Sequence, residues 1–219
     1  MITVGIPVYN QVEYLADAID SVLMQTAKCE IIVCDDGSTD GSGAIADSYK
    51  DKGVKVIHQV NKGLASARNT LIMNMTGDYF LPLDADDILK ENCVERMLIA
   101  INNSQADIIA PSFKCFGTTS NTVTIGQFTL EELRSANRLG YFSAIKKEAL
   151  LEIGGYSPKM TWGYEDWHLW IDLLTRGKSL AIIQEPLVLY RTKEKSMITE
   201  ANAHSEELIA QINKDFKYE

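Results

Sequence analysis

The sequence is poor in cysteine, in long apolar runs and in basic charge. Its four cysteines form no CxxC pair or other metal-ligand spacing, which predicts reduced, structural thiols and a cytosolic compartment. No apolar run approaches the ~20 residues that span a bilayer, and the first predicted strand begins almost at Met1, so we expect neither a membrane span nor a signal peptide. The net charge of −9 argues against a nucleic-acid surface, because binding phosphate backbones requires clustered lysine and arginine.

One acidic stretch organises the 219 residues. An apolar run at residues 79–83 ends in three carboxylates within four positions, Asp84, Asp86 and Asp87. The run predicts a buried strand of a parallel sheet, and open α/β sheets bind ligands at the carboxyl ends of such strands. Carboxylates this close repel one another unless a cation lies among them, and Mg²⁺ or Mn²⁺ suits such oxygen ligands. The alternative is an acidic turn that caps a helix beginning near Leu89.

The rest of the chain alternates predicted strands and helices, which predicts an α/β fold with a doubly wound, mostly parallel sheet. Pro7 predicts that the first strand ends there or meets a sheet edge. We expect a single domain over residues 1–219, in two functional halves that divide near Pro111. The predicted strands cover residues 2–8, 30–34, 54–57, 79–83, 107–110, 141–145, 179–183 and 187–190, and helices are predicted at 129–137 and 200–216 among others.

A second predicted strand ends in an acid, Asp36, which we expect at the same sheet edge as Asp84. A carboxylate in that position can accept a hydrogen bond from a base N–H or a ribose hydroxyl. Arg68 lies one helix away and can offer a forked donor to a phosphate or a base carbonyl. The alternative for Arg68 is a surface ion pair with Asp78 or Asp87.

Glu165 and Asp166 form a third acidic feature, just before a tryptophan-rich helix. They either cap that helix or supply a general base that deprotonates an acceptor hydroxyl. The neighbouring aromatic residues provide either a sugar-stacking platform or core packing. The platform interpretation applies to Trp162, Tyr164 and Trp167, and core packing is predicted for Trp170.

Six motifs occur in the order and spacing of the inverting glycosyltransferases of family 2, and the chain resembles that family from residue 2 to about residue 197. Each motif alone is weak, whereas six in register are highly specific. The motifs are Val4-Gly5-Ile6-Pro7-Val8-Tyr9-Asn10, Asp35-Asp36-Gly37-Ser38-Thr39-Asp40, Asn61-Lys62-Gly63 with Ala67-Arg68-Asn69, Asp84-Ala85-Asp86-Asp87, Gly154-Gly155-Tyr156 and Glu165-Asp166.

The resemblance implies a Rossmann-like GT-A fold and an enzyme that uses a nucleotide-sugar, most often a UDP-sugar, with Mn²⁺ or Mg²⁺. It also implies that residues 1–111 form the nucleotide-sugar-binding half, residues 112–199 the smaller acceptor and catalytic half, and residues 200–219 a terminal helix. By position, the residues that resemble nucleotide contacts are Pro7, Tyr9, Asp36, Arg68 and Asp84.

The acidic stretch resembles the DxD element of the family. The resemblance places Asp84 toward the ribose or sugar and Asp86 on the metal, with Asp87 as the metal ligand instead if the motif is shifted by one residue. Asp166 matches the catalytic base, which takes the proton of the acceptor hydroxyl as that oxygen displaces UDP with inversion. Further candidates for the diphosphate or acceptor side are Glu165, Gly155 and Trp162.

One departure from the family pattern concerns Lys193. Many relatives carry a Tyr-Arg-x-His pattern, whereas this chain has Tyr190-Arg191-Thr192-Lys193. A protonated lysine cannot ligate a metal, so we hypothesise that Lys193 or Arg191 meets the diphosphate directly as a point charge. The alternative is that Lys193 is a solvated lysine.

The leading prediction is an inverting hexosyltransferase of bacterial surface polysaccharide synthesis. Its acceptor is expected to be a glycan or a lipid-linked saccharide, reached from the cytoplasm, at the inner face of the membrane if the contact is peripheral. One alternative is a catalytically inactive nucleotide-binding module. A less favoured one is a nucleotidyltransferase, which predicts an early glycine-rich loop with arginine and lysine that residues 7–11 lack.

Overall fold

A computed structural model describes residues 1–194 and 201–216. The strands in these ranges are β1 Ile2–Val8, β2 Glu30–Asp35, β3 Lys55–His58, β4 Tyr79–Pro82, β5 Ile88–Leu89, β6 Ile108–Gly117, β7 Thr122–Val123, β8 Ala144–Lys146 and β9 Leu180–Thr192. The helices are α1 Leu15–Leu23, α2 Ser42–Ser48, α3 Leu64–Asn74, α4 Cys93–Ser104, α5 Leu130–Ser135, α6 Lys147–Ile153, α7 Glu165–Thr175 and α8 Ser205–Phe216, with a 3₁₀ turn at Lys50–Lys52. No helix within these ranges is long and apolar enough to cross a membrane.

The strands form one mixed sheet in the order β3-β2-β1-β4-β8-β6-β9-β5, with β7 paired to β6. The four strands β3, β2, β1 and β4 run parallel, as does the long β6–β9 ladder, while β8, β7 and β5 pair antiparallel. The predicted α/β class with a mostly parallel sheet flanked by helices is therefore confirmed. Because β2, β1 and β4 point the same way, their carboxyl ends meet at one edge.

Two apolar cores cover the two faces of the sheet. The even-numbered positions of β1, from Ile2 to Val8, pack on one face together with the apolar side of α1, including Leu15 and Ile19. On the other face, Phe80 of β4 packs with α3, α6, α7 and α8. Helices on both faces bury every residue of β1 and β4, which explains why these strands are continuous hydrophobic runs rather than alternating ones.

Pro7 does not end β1, which continues to Val8 and lies in the middle of the sheet rather than at its edge. The expectation is wrong for a local reason. The ladder with β4 stops at the Gly5–Pro82 pair, where Gly5 still accepts from Leu83, so the missing N–H of Pro7 faces a gap beyond that ladder. The separation of β1 from β4 at this level opens the sheet edge.

Several helix and strand boundaries in the structure differ from the predicted ones, because pairing between distant strands overrides the local sequence pattern. The stretch near Leu89 is not a helix start but the short strand β5, which pairs with β9, and the helix begins at Cys93. The two predicted late strands are one strand, β9, and the strand predicted at 141–145 is displaced to β8. The predicted division near Pro111 falls inside β6, at a register shift against β9. The terminal helix is present as α8, while residue 200 of that prediction lies outside the described residues.

Candidate active site

A cleft of about 860 Å³ opens at the carboxyl ends of β1, β2 and β4. Its size falls within the roughly 300–1,000 Å³ range of small-molecule sites. Its walls include Pro7 near the end of β1, Tyr9 just after it, Asp36 after β2 and the loop that leads into α3. The opposite side is formed by Glu165 at the start of α7, by the end of β9 and by four residues of the preceding loop, Pro158, Met160, Thr161 and Gly163. The structure thus brings acids from three separate sequence motifs to one edge.

The acidic motif after β4 divides into two carboxylates at the cleft and one buried carboxylate. Asp84 and Asp86 line the cleft, while Asp87 is buried and absent from the described lining. Asp87 accepts a hydrogen bond from the Tyr141 hydroxyl at 2.5 Å and from the Arg191 backbone N–H at 2.6 Å. Burial raises the pKa of Asp87 well above its ordinary value. Asp87 is therefore built into the wall of the cleft, which favours Asp86 over Asp87 as a metal ligand.

Arg68 lies beneath the cleft with no exposed surface. Its Nη2 donates to Oδ1 of Asp84 at 2.7 Å, and its Nη1 donates to Oε1 of Glu165. Its guanidinium also lies 5.1 Å from the centre of the Tyr141 ring. The alternative of a surface ion pair with Asp78 or Asp87 is wrong, because α3 packs on the sheet and buries Arg68. The buried cation joins the motif after β4 to the motif at the start of α7.

Burial and neighbouring charge raise the pKa of two further acids, Asp84 and Asp166. Desolvation raises the pKa of Asp84 to about 6, against the opposing effect of Arg68. Desolvation, reinforced by the charge of Glu165, raises the pKa of Asp166 to about 7. Carboxyl groups whose pKa is shifted this far from its ordinary value are typical of functional sites.

Glu165 and Asp166 have different surroundings although they are adjacent in sequence. Glu165 is buried against Arg68 and lines the cleft, whereas Asp166 is half-buried and is not among the described residues that line it. One oxygen of Asp166 accepts from Nδ2 of Asn137 at 3.0 Å and the other from the backbone N–H of Trp167 at 2.7 Å. Glu165 is therefore locked by an ion pair, while Asp166 is held only by neutral donors.

Asp36 is buried and fixes the loop before α3. Its Oδ1 accepts from the side-chain amide of Gln59 at 2.7 Å and from the Lys62 backbone N–H at 2.9 Å, and its Oδ2 accepts from Gly63 N–H at 2.8 Å. A carboxylate has about four acceptor sites, so one remains. The side chain of Asp36 therefore holds the wall of the cleft and still presents an acceptor to it.

Two cations from the end of β9 face the motif after β4. Lys193 Nζ lies 2.5 Å from Oδ2 of Asp86, and Arg191 Nε donates to the Asp86 backbone carbonyl at 2.7 Å. The Lys193 side chain is 24% exposed, so the alternative of a freely solvated lysine is wrong. Both cations also lie against the Tyr14 ring, at 4.6 Å each from its centre.

The predicted sugar-stacking platform is not assembled. Trp167 is buried and donates its indole N–H to the Leu133 carbonyl, while the Tyr164 hydroxyl donates to Asn202. Trp162 is 43% exposed but stacks on His204, 4.3 Å between ring centres, outside the described cleft lining. Trp170 is fully buried, as predicted.

Gly155 also lies outside the cleft, in a turn where its φ is +81° and its backbone packs against Asn69. A side chain at this position would overlap Oδ1 of Asn69, which accepts from the Tyr156 N–H at 2.8 Å. The geometry gives Gly155 a structural role, so the motif Gly154-Gly155-Tyr156 positions the segment that leads to Glu165.

Two site residues were not found from the sequence. Tyr141 receives a hydrogen bond from the Asp84 N–H at 3.0 Å while its hydroxyl donates to Asp87, and Asn137 donates to Asp166. No local pattern marks either of them, since their partners lie more than 25 residues away in the chain. Lys62 lies in the motif Asn61-Lys62-Gly63, and its backbone N–H donates to Asp36, which places it in the cleft wall.

The donor set of the cleft fits a divalent ion that shares its coordination with a substrate. The described residues contain no cluster of three or more potential ligands, so a closed protein cage is absent there. Asp84 and Asp86 nevertheless both line the cleft, and Mg²⁺ typically uses one or two carboxylates plus substrate phosphates. The residues present therefore fit this ion with a phosphate-bearing ligand.

Comparison with known proteins gives consistent matches. The sequence model for "Glycosyl transferase family 2" matches residues 3–168. The glycosyltransferase GlyG of Streptococcus pneumoniae is 32% identical over 222 residues, which cover 90% of this chain and 73% of GlyG. Several other curated relatives are much longer, and the chain spans about a third of their length or less.

Solved structures share the fold at low sequence identity. S. aureus TarS 1–349 in complex with UDP matches with a TM-score of 0.77 at 18% identity, over 99% of this chain and 72% of that one. The mannosyltransferase PcManGT from Pyrobaculum calidifontis, in complex with GDP-Man and Mn²⁺, matches with a TM-score of 0.72 at 18% identity, over all of this chain and 64% of that one. These likenesses confirm the GT-A type of fold.

Proposed function

The chain belongs to glycosyl transferase family 2, and we propose that it transfers a sugar from a UDP-sugar to an acceptor hydroxyl with inversion at the anomeric carbon. The observation that carries the proposal is the meeting of Asp36, Asp84, Asp86 and Glu165 in one ligand-sized cleft. The fold neighbours include one protein in complex with UDP and one in complex with GDP-Man, which supports a nucleotide-sugar as the class of donor.

We propose that residues 1–111 bind the nucleotide. Pro7 and the exposed ring of Tyr9 border the end of the cleft near Asp36, whose remaining acceptor site suits a ring N–H of uracil. Arg68 is a positioning residue rather than a nucleotide contact, since its two Nη groups are engaged below the cleft surface. It orients Asp84 toward the ribose or the transferred sugar.

We propose that Asp86, assisted by Asp84, holds Mn²⁺ or Mg²⁺ together with the donor diphosphate. When bound, such an ion neutralises the negative charge that develops on a departing diphosphate. Arg191 and Lys193 lie on the same side as Asp86 and supply further positive charge there. A chain of net charge −9 needs this local offset before a diphosphate can enter.

We propose Asp166 as the general base. A base is most effective with a pKa near the working pH, and the pKa of Asp166 is raised to about 7. Glu165 is a weaker candidate, because its carboxylate is already engaged by the buried guanidinium of Arg68. Asp166 would accept the proton of the acceptor hydroxyl as the new bond forms, so no enzyme nucleophile is required.

We propose that residues 112–199 meet the acceptor, which is a glycan or a lipid-linked saccharide of bacterial surface polysaccharide synthesis. The support for this proposal is where residues of this half lie in the cleft. Pro158, Met160, Thr161 and Gly163 line the cleft opposite the nucleotide side, in the segment that leads into Glu165 and Asp166.

The direct test measures nucleotide release from a panel of sugar donors, including UDP-GlcNAc, UDP-glucose and GDP-mannose, with and without a mixture of saccharide acceptors. The expected result is acceptor-stimulated release of UDP, with a product of opposite anomeric configuration by NMR, and release slowed by about 10²–10⁴-fold in Asp166→Asn. Release of GDP alone would contradict a UDP-sugar as the donor. UDP binding without any release would favour a nucleotide-binding module without catalysis.

A further inference from the structure

The ion pair between Lys193 and Asp86 lies where a divalent ion and the donor diphosphate would bind in the proposed function. The Lys193 ammonium lies 2.5 Å from Oδ2 of Asp86, and the side chains of Lys193 and Asp86 are 24% and 21% exposed. Partial burial reduces screening by water, so this pair is stronger than an ion pair on the open surface. The cation of Lys193 therefore occupies an oxygen that a divalent ion would use.

The backbones of both partners are held in register. The Thr192 carbonyl accepts from the Thr118 N–H at 3.1 Å, which anchors the end of β9 just before Lys193. Arg191 Nε donates to the Asp86 carbonyl, and the Arg191 N–H donates to Asp87. These bonds hold the backbone just before Lys193 beside the motif that contains Asp86, and the Lys193 ammonium also lies against the Tyr14 ring.

Asp86 is the carboxylate of its motif that has no buried partner. Asp84 accepts from Arg68, and Asp87 accepts from Tyr141 and from the backbone of Arg191. Within the described residues, Lys193 is the side chain paired with Asp86. Any cation that binds Asp86 from solution must therefore displace the ammonium of Lys193 or share the carboxylate with it.

We propose that Lys193 is a tethered cation that competes with a divalent ion for Asp86 and is drawn off by the diphosphate of the donor, so that metal and nucleotide bind cooperatively. The inference rests on the proposed function, because the diphosphate belongs to the proposed donor. In the nucleotide-free protein Lys193 weakens metal binding. Once a diphosphate is present, the ammonium has a second anionic partner and Asp86 becomes available to the metal.

The competition predicts opposite effects on two ligands. Removing the charge of Lys193 should strengthen metal binding to the nucleotide-free protein, because Asp86 loses its competing cation. The same change should weaken binding of a nucleoside diphosphate without metal, because the diphosphate loses a positive charge. A merely structural lysine would not move the two affinities in opposite directions.

The test titrates Mn²⁺ into nucleotide-free protein, with free Mn²⁺ followed by its EPR signal, and UDP into metal-free protein by calorimetry. Lys193→Met should bind Mn²⁺ about tenfold more tightly than the wild type, within the usual range of coupling between sites. Lys193→Arg keeps the charge and should stay within a few-fold of the wild type. Lys178→Met, which removes an equal charge from a pair with Glu152, should change neither affinity.

The effect of UDP on the affinity for Mn²⁺ gives a second measurement. Saturating UDP should raise the Mn²⁺ affinity of the wild type by a larger factor than that of Lys193→Met, and linkage requires Mn²⁺ to raise UDP affinity by the same factors. Equal Mn²⁺ affinity for the wild type and Lys193→Met, with UDP still bound, overturns the competition and leaves the proposed function standing. Absence of both Mn²⁺ and nucleotide binding in every variant overturns the proposed function as well.

Discussion

Arg68 and Asp84 form an ion pair with 2.7 Å between Nη2 and Oδ1, and the Arg68 side chain has no contact with solvent. The other arm of the same guanidinium holds Glu165, 97 residues further along the chain. A single buried cation therefore sets the distance between the acids after β4 and the acids at the start of α7. In the proposed function these two motifs serve the donor and the acceptor hydroxyl, so Arg68 aligns the two halves of the reaction.

Replacing Arg68 by methionine should reduce the free energy of unfolding by about 3–5 kcal/mol, because breaking a buried ion pair leaves uncompensated charge on its partners. Urea unfolding measures the change. The matched control is Arg96→Met, which removes a largely exposed pair with Glu185 and should cost less than about 1 kcal/mol. Equal losses in the two variants would contradict the structural role of Arg68.

The rate of transfer should rise with pH through about 7, because Asp166 acts only in its ionised form and its pKa is about 7. Asp166→Asn should lower kcat by about 10²–10⁴-fold while UDP affinity stays unchanged. The Asn137 amide stabilises the ionised form, so Asn137→Ala should raise the pKa of Asp166 and move the acid limb of the profile to higher pH. An acid limb that stays in place in Asn137→Ala would argue for another base.

The two adjacent glycines after α6 provide a matched pair. Both have positive φ, +80° at Gly154 and +81° at Gly155, but a side chain at Gly154 would meet no atom within 4 Å, whereas one at Gly155 would overlap Asn69. Alanine at Gly154 should cost about 1–2 kcal/mol from backbone strain. Alanine at Gly155 should cost about 1–3 kcal/mol more from overpacking. Thermal unfolding compares the two, and equal shifts in Tm would contradict the packing at Gly155.

The hydroxyl of Tyr141 should matter for both stability and nucleotide binding. Tyr141→Phe leaves the Asp84 N–H and one Asp87 oxygen without a partner, which should cost about 1–3 kcal/mol and loosen the acidic motif. Tyr79→Phe removes another buried hydroxyl bond, to the Ala106 carbonyl, and should cost a similar amount. Calorimetry should show weaker UDP binding in Tyr141→Phe only. Weakened binding in both variants would indicate a general loss of stability instead.

The sequence predicted the β/α alternation and the sheet edge, because β1, β2 and β4 are buried runs that each end in a marked turn. The meeting of Asp36 with Asp84 followed from parallel strand geometry alone. The local pattern is misleading at Pro7 and near Leu89, since both depend on which strand lies alongside, and pairing partners leave no local trace in a sequence.

The sequence predicts the acids and the cations of the site, but not which of them pair with one another. Arg68 was identified as a site residue, yet its partners became visible only with α3 packed beneath the cleft. Tyr141 and Asn137 bind acids 29 or more residues away, and no spacing rule reports such contacts. The pairing of Lys193 with Asp86 was likewise invisible, because β9 reaches the motif after β4 through a sheet order that the sequence does not state.

The most direct test of the account is a calorimetric titration of UDP, with and without Mn²⁺, into the wild type and into Asp86→Ala, with GDP as the control nucleotide. The expected result is UDP binding that Mn²⁺ strengthens in the wild type, loss of that strengthening in Asp86→Ala, and no comparable binding of GDP. UDP binding that is equally metal-dependent in Asp86→Ala, or binding of GDP in place of UDP, would contradict it.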